Sequence, residues 1–340
     1  MTLIDVDGLR VSFRTGRGLL HALDGVAFAM SEGESLGIVG ESGCGKTTVA
    51  RAILRILPGN AEARGRILLR GRDILAMEPD ELHRVRWRGV ALVTQSAMNA
   101  LDPVYRVGAQ IVEAIRTHER CSASAAWERA ERLLESVGLE PEWARRYPHE
   151  LSGGMRQRAI IAMALALDPP LIVADEPTTA LDVIMQDRVF AEIDRIRRER
   201  GTALILITHD ISLVAENCAR IAVMYAGRIV ELAPARALLE RPLHPYSIGL
   251  QNACADLGDR ARDLISIAGA PPDLVEPPGG CRFAPRCPFA RGKCSEPPAL
   301  VEREAGHWAA CHFADEAEAF RRAGRVAITW ERSAAARASL

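Results

Sequence analysis

Apolar and polar residues alternate from Leu3 to Met30, interrupted by glycines, and this period of two predicts short antiparallel strands. Ser35-Leu36-Gly37-Ile38-Val39 is a short apolar run, the pattern of a strand buried on both faces. From Thr47 to Leu57 apolar residues recur at helical spacing, and Pro58-Gly59 ends the element. Gly65 to Ile74 predicts another strand pair, and Val90 to Thr94 a strand that delivers Gln95. From Val107 to Gly138 the period is helical, with polar faces rich in Glu and Arg. Leu151-Ser152-Gly153-Gly154 is a loop that opens a helix to about Leu167, and Asp168-Pro169-Pro170 stops it.

The second half repeats the alternation of elements. Leu171 to Asp175 reads as a buried strand, Asp187 to Arg200 as a helix, and Ala203 to Thr208 as a buried strand ending at His209. Ile221 to Tyr225 and Arg228 to Leu232 are short strands around the turn Ala226-Gly227. Strands alternating with helices predict an α/β fold, a mainly parallel sheet with helices on both faces. Pro-rich punctuation at Pro242, Pro271-Pro272 and Pro277-Pro278-Gly279-Gly280 marks a change of style. The pattern divides the chain into a main domain, 1–239, with a helical subdomain at about 97–165, and a C-terminal extension, 240–340.

Composition narrows this picture. At 340 residues and 48% hydrophobic, the chain can bury a sizeable core. The net charge of -1 gives no global basic field, so nucleic acid is not an expected partner. The N-terminus lacks the basic start and apolar stretch of a signal peptide, and no apolar run is long enough to span a membrane. Of 8 cysteines, Cys281, Cys287, Cys294 and Cys311 crowd into one segment. With no secretion signal, that crowding points to a metal rather than to disulfides.

Gly40-Glu41-Ser42-Gly43-Cys44-Gly45-Lys46-Thr47 has the spacing of a phosphate-binding loop and lies between a strand and a helix. Glycines let successive N–H groups turn toward phosphate oxygens, and the helix adds its positive dipole end. Lys46 supplies charge for the β- and γ-phosphates, and the Thr47 hydroxyl, followed by Thr48, can hold Mg²⁺. Asp175 ends an apolar strand, where a second Mg²⁺-binding acid is expected, and Glu176 can orient or deprotonate an attacking water. Cys44 reads as a small filler, although a helix N-terminus can lower a thiol pKa and expose the loop to modification. Ser152-Gly153-Gly154 is a second small-residue loop at a helix start, hence a second anion site.

Leu151-Ser152-Gly153-Gly154-Met155-Arg156-Gln157 resembles the signature of ABC ATPases. Gln95 resembles their Q-loop glutamine, Ala180-Leu181-Asp182 their D-loop and His209 their switch histidine. These motifs follow the family order from Gly40 to His209. The resemblance implies a P-loop NTPase core with an antiparallel β subdomain, a helical subdomain and a small Cys-rich extension. It implies head-to-tail pairing with a second ATPase subunit, each ATP lying between one chain's Lys46 loop and the other's Ser152 loop. Glu176, His209 and Gln95 would be catalytic, with Gln95 also near Mg²⁺. An adenine-stacking aromatic is expected upstream of the loop; Phe13 is the candidate, with a core role as the equal alternative.

Met98-Asn99-Ala100-Leu101-Asp102-Pro103-Val104-Tyr105, His244-Pro245-Tyr246-Ser247 and the Cys-rich tail resemble the oligopeptide/dipeptide/nickel importer branch, which usually has Asn in place of Asp102. That branch implies two membrane permeases, an extracytoplasmic substrate-binding protein, and a peripheral position on the cytoplasmic face of the inner membrane. It favours a 4Fe–4S cluster on Cys281, Cys287, Cys294 and Cys311. Zn²⁺, with His307 and His312 as spare ligands, and unliganded thiols are the alternatives.

Overall fold

The computed structural model describes residues 1–94, 100–177, 183–253 and 265–335. Gln95, Asn99, Cys254 and the run Ala180-Leu181-Asp182 lie outside the described residues.

Two sheets form the molecule. A four-stranded antiparallel sheet has the order β2-β1-β4-β5, with β1 Thr2–Thr15, β2 Gly18–Ser31, β4 Ala61–Leu69 and β5 Arg72–Asp73. The alternation from Leu3 to Met30 thus yields two strands of 14 residues each rather than several short ones. The glycines that look like breaks are bulges. Gly8 and Gly25 take φ of 59° and 77°, and the pairing of β1 with β2 slips between Val6 and Leu9 and again between Leu9 and Arg10. Bulges add twist without ending a strand.

The larger sheet is eight-stranded, in the order β11-β12-β10-β9-β3-β8-β7-β6. Its centre is parallel: β9 (Arg220–Tyr225), β3 (Ser35–Val39), β8 (Ala203–Thr208), β7 (Leu171–Asp175) and β6 (Val90–Val93). Antiparallel β10 (Arg228–Pro234) pairs with β9, and the C-terminal hairpin β11 (Val301–Glu304) and β12 (His307–Ala309) pairs onto β10.

The continuous apolar runs of β3, β7 and β8 are explained by burial on both faces. Along β8, Ile205 and Ile207 face one core with Leu3, Leu9, Leu23, Val49 and Ile53. Leu204 and Leu206 face the other core, with Ile111, Leu134 and Ile160 of the helical segment. That segment contains the helices Val107–His118, Ala123–Ser136 and Gly153–Ala164. Tyr246, Phe283, Phe320 and Trp330, all late in the chain, join the second core. Among the described residues no helix is long and apolar enough to cross a membrane.

The topology places chemistry at one rim. β3, β8 and β7 are parallel neighbours, so their carboxyl ends open on the same side. Gly40, His209 and Glu176 each follow directly after one of those ends. Ligands of open α/β sheets bind at that rim.

Candidate nucleotide-binding site

β3 leads into the loop 40–45, and a helix begins at Lys46 and runs to Ile53. The loop needs glycine at two places. Gly45 has φ 106°, and a Cβ there would meet the Ala22 carbonyl oxygen at 2.6 Å. At Gly40, φ 156°, a Cβ would meet the Met224 carbonyl oxygen at 2.1 Å. The backbone thus passes too close to its neighbours for any side chain.

A cavity of about 480 Å³ opens over the loop. Phe13, Ser42, Gly43, Gly45, Lys46, Thr47, Thr48 and Glu176 line it. Lys46 is 6% exposed, and its Nζ donates to the carbonyls of Gly40 at 2.7 Å and Glu41 at 3.1 Å. A polyanion offers the ammonium stronger partners than these carbonyls. Thr47 Oγ1 donates to Asp175 Oδ1 at 3.2 Å, which brings the two expected Mg²⁺ ligands into one contact. Burial raises the Asp175 pKa, partly offset by the Thr47 hydrogen bond. A buried carboxylate next to a hydroxyl is a hard-oxygen donor set, and a divalent cation would relieve its desolvation.

Glu176 adopts φ 46°, an uncommon conformation for a side chain of its size. Its N–H donates to the Ile207 carbonyl at 2.8 Å, fixing the backbone on β8. Its Oε1 lies 3.5 Å from Nδ1 of His209. His209 is exposed and Glu176 largely covered, with side chains 63% and 16% exposed. An observed strained residue at the rim of an anion cavity fits a role in the reaction.

Phe13 lines the cavity and also packs on the core between the two sheets. Glu41 and Cys44 do not line the cavity. Cys44 is buried, and burial raises its thiol pKa rather than lowering it, which fits the reading of a small filler and not the alternative of an activated thiol. Ser152 caps the helix Gly153–Ala164, accepting from the Met155 N–H at 3.4 Å. Ser152, Gly153 and Gly154 do not line the cavity of their own chain.

The cysteine segment folds into tight turns. Cys281 N–H donates to the Cys294 carbonyl at 2.9 Å. The thiols of Cys281, Cys287 and Cys311 accept backbone N–H groups, from Phe283 and Ala284, from Phe289, and from Phe313. Cys294 Sγ accepts from the Arg291 N–H at 3.5 Å. Burial raises the Cys281 and Cys287 pKa values and pushes Cys311 up to about 11. Cys287 lies within electrostatic reach of the other three thiols. Among the described residues, no three His, Cys, Asp or Glu side chains are grouped to hold a single metal ion. Of the spare zinc ligands, His307 pairs through Nε2 with Glu231 at 2.7 Å and leaves Nδ1 buried without a hydrogen-bond partner, and His312 Nε2 bonds the Glu296 carbonyl at 3.0 Å.

Sequence reading missed several residues here. Pro272, Asp273 and Leu274 line the cavity, and Tyr246 and Arg286 bond Glu41. They carry no local motif of nucleotide binding; their only signal was the resemblance around His244-Pro245-Tyr246-Ser247.

The strand–loop–helix, the paired Thr47 and Asp175, and Glu176 beside His209 define an ATPase of the ABC class. The comparisons agree. The ABC transporter family profile matches residues 23–179, and the profile for the oligopeptide/dipeptide transporter C-terminal region matches residues 230–294. The chain is 47% identical to a probable peptide ABC transporter ATP-binding protein of Sinorhizobium fredii, covering 92% of this chain and 96% of that one. It is 44% identical to the oligopeptide transport ATP-binding protein OppD of Escherichia coli, covering 91% and 92%. Among solved structures, the dimeric post-hydrolysis state of the ATP-binding cassette MJ0796 bound to ADP and Pi superposes with a TM-score of 0.62 at 27% identity. That likeness covers 68% of this chain and 99% of the cassette. The chain belongs to the ABC transporter ATP-binding proteins, in their oligopeptide/dipeptide branch.

Proposed function

We propose that this chain is the ATPase subunit that energises peptide import through separate membrane permeases, using the cavity over the loop 40–48. The observation that carries the reading is that Lys46 and Thr47 of the helix and Glu176 after β7 line one cavity, with Asp175 bonded to Thr47 beside it. Lys46 moves from the carbonyls of Gly40 and Glu41 onto the β- and γ-phosphates. Thr47 and Asp175 would hold Mg²⁺, which neutralises charge on those phosphates. Glu176 orients the attacking water and accepts its proton, while His209 sits where it senses the γ-phosphate. Gln95 completes this set as proposed from the motif alone.

Ser152, Gly153 and Gly154 serve the ATP of a second ATPase subunit, in a head-to-tail pair. That they do not line the chain's own cavity supports this, as does the dimeric state of the MJ0796 cassette. A cavity of about 550 Å³ beside Trp87, Asp102, Tyr105 and Gln110 suits a short permease helix, and Val104 and Tyr105 are 70% and 59% exposed at its edge. The position is peripheral, on the cytoplasmic face, with a substrate-binding protein delivering peptide on the other side. With Lys46→Ala in the reconstituted transporter, this chain should lose ATP binding and the vesicles should lose ATP-driven peptide uptake. Uptake at the wild-type rate would refute the reading.

Cys281, Cys287, Cys294 and Cys311 are the proposed ligands of a 4Fe–4S cluster, the reading that the family resemblance favours over zinc. Each sulfur accepts backbone N–H, the hydrogen bonding that tunes such clusters. Among the described residues no group of three His, Cys, Asp or Glu side chains is placed to hold a metal ion, so the reading rests on the family resemblance and on the other three thiols lying within electrostatic reach of Cys287. Anaerobically purified protein should be brown and contain iron; a colourless protein with stoichiometric zinc would end this assignment.

A further inference from the structure

We infer that the C-terminal segment builds one wall of the nucleotide cavity in cis, and that Arg286 is the positioning residue that ties this wall to the phosphate loop. The inference rests on the reading of that cavity as an ATP site, and it concerns residues outside the motifs on which that reading stands.

The cavity has two unlike ends. One is the loop and helix start, Ser42 to Thr48, with its N–H groups and Lys46. The other is lined by Phe13 and Leu20 of the antiparallel sheet and by Pro272, Asp273 and Leu274, with Ala22 meeting the loop at Gly45 between them. Triphosphate belongs at the first end. The planar base belongs at the second, where apolar side chains can cover its faces. The arm that supplies Pro272 to Leu274 is anchored on the antiparallel sheet. His21 N–H donates to the Leu274 carbonyl at 2.8 Å, and Arg17 pairs with Asp273 at 2.5 Å. Asp273 Oδ1 also accepts from the Val275 N–H at 3.0 Å, holding the turn.

Arg286 joins that arm to the loop. Its Nε donates to the Ala268 carbonyl at 3.0 Å and its Nη2 to the Ile267 carbonyl at 3.2 Å, at the root of the arm. Its Nη1 donates to Glu41 Oε2 at 2.7 Å and to the Tyr225 hydroxyl at 3.3 Å. The side chain is 7% exposed, so the ion pair is poorly screened. Tyr246, fully buried, takes the Glu41 N–H on its hydroxyl at 2.9 Å.

Glu41 explains why such a brace is needed. A carboxylate inside an anion-binding loop repels the phosphates it adjoins. Arg286 turns that carboxylate away from the cavity and neutralises it. Without Arg286, Glu41 is an unpaired negative charge beside the β- and γ-phosphates. The brace acts on binding more than on the chemical step, because its bonds go to Glu41, Tyr225 and the carbonyls of Ile267 and Ala268, on the loop and the arm.

The test uses the full chain in the assembled transporter, with ATP and inorganic tripolyphosphate as ligands. Arg286→Met should raise KM for ATP by about tenfold with kcat within about twofold, the pattern of lost binding rather than lost catalysis. Adding Glu41→Gln to Arg286→Met should restore most of the affinity, because the repelling charge is gone. A merely structural role for Arg286 would give no such rescue. Leu274→Ala, a half-buried change away from the cysteines, should weaken ATP several-fold and leave tripolyphosphate unaffected. It keeps the inference testable where Arg286→Met does not fold. Unchanged KM in Arg286→Met, a double variant no better than the single, or equal loss of both ligands in Leu274→Ala would overturn the inference. Lys46→Ala separates the two levels. If it leaves both ligands bound, the ATP-site reading itself fails; if it loses both while Leu274→Ala loses neither, only the wall is wrong.

Discussion

Cys44 sits within the phosphate loop at a helix start, where a thiol can be activated, and the structure keeps it a buried filler. The helix dipole favours the thiolate, but burial disfavours it more, and the pKa is raised despite Lys46 Nζ at 3.9 Å from the sulfur. The side chain fills space beneath Gly40, where a Cβ would come within 2.9 Å of the sulfur. ATP hydrolysis should therefore resist a thiol-alkylating reagent at neutral pH, with Cys44 unmodified by mass spectrometry. Rapid modification of Cys44 with loss of ATP binding would contradict this. Phe13 teaches a related lesson. Its ring could not be assigned to core or ligand from sequence because the strand that carries it borders both.

At the scale of elements, the strands and the loop between β3 and its following helix are legible because their signals are local. An apolar run, a glycine spacing and a Lys-Thr pair all fall within a few residues. The joint between β10 and the C-terminal segment is not legible, because its partners are far apart in the chain. Glu231 of β10 is fully buried and accepts from the N–H groups of Leu243 and His244, each at 2.8 Å, and from His307 of β12. His244 Nδ1 accepts the Tyr246 N–H at 3.0 Å, which starts the helix Pro245–Ala253. That contact requires an unprotonated Nδ1. Burial lowers the His244 pKa to about 4, against a partial opposing effect of Glu231.

The sign follows from that shift. Between pH 4 and 6.5 the unfolded chain protonates this histidine and the folded chain does not, so stability falls as pH falls through that window. This group contributes up to about 1.4 kcal/mol per pH unit there. Thermal unfolding from pH 7 to 5 should show a steeper decline for the wild type than for His244→Gln. Parallel declines would refute the assignment.

At the scale of the whole molecule, the ATP site is incomplete in one sense and more complete in another. Ser152 and Gly154 lie off the cavity of their own chain, as the proposed head-to-tail pairing requires. The C-terminal segment, by contrast, closes the base end within the chain and reaches the loop through Arg286. The first point was an expectation of the family resemblance, carried by the motif order. Nothing made the second readable, since Glu41 and Arg286 are 245 positions apart and neither belongs to a shared pattern.

The central claim is that Glu176 drives hydrolysis in a cavity whose binding is done by other residues. Its most direct test is ATP binding and hydrolysis by Glu176→Gln in the assembled transporter, measured together. Affinity should stay within about twofold of wild type while hydrolysis falls by at least about a hundredfold, the range of a lost general base. Hydrolysis at the wild-type rate with ATP still bound would contradict the account.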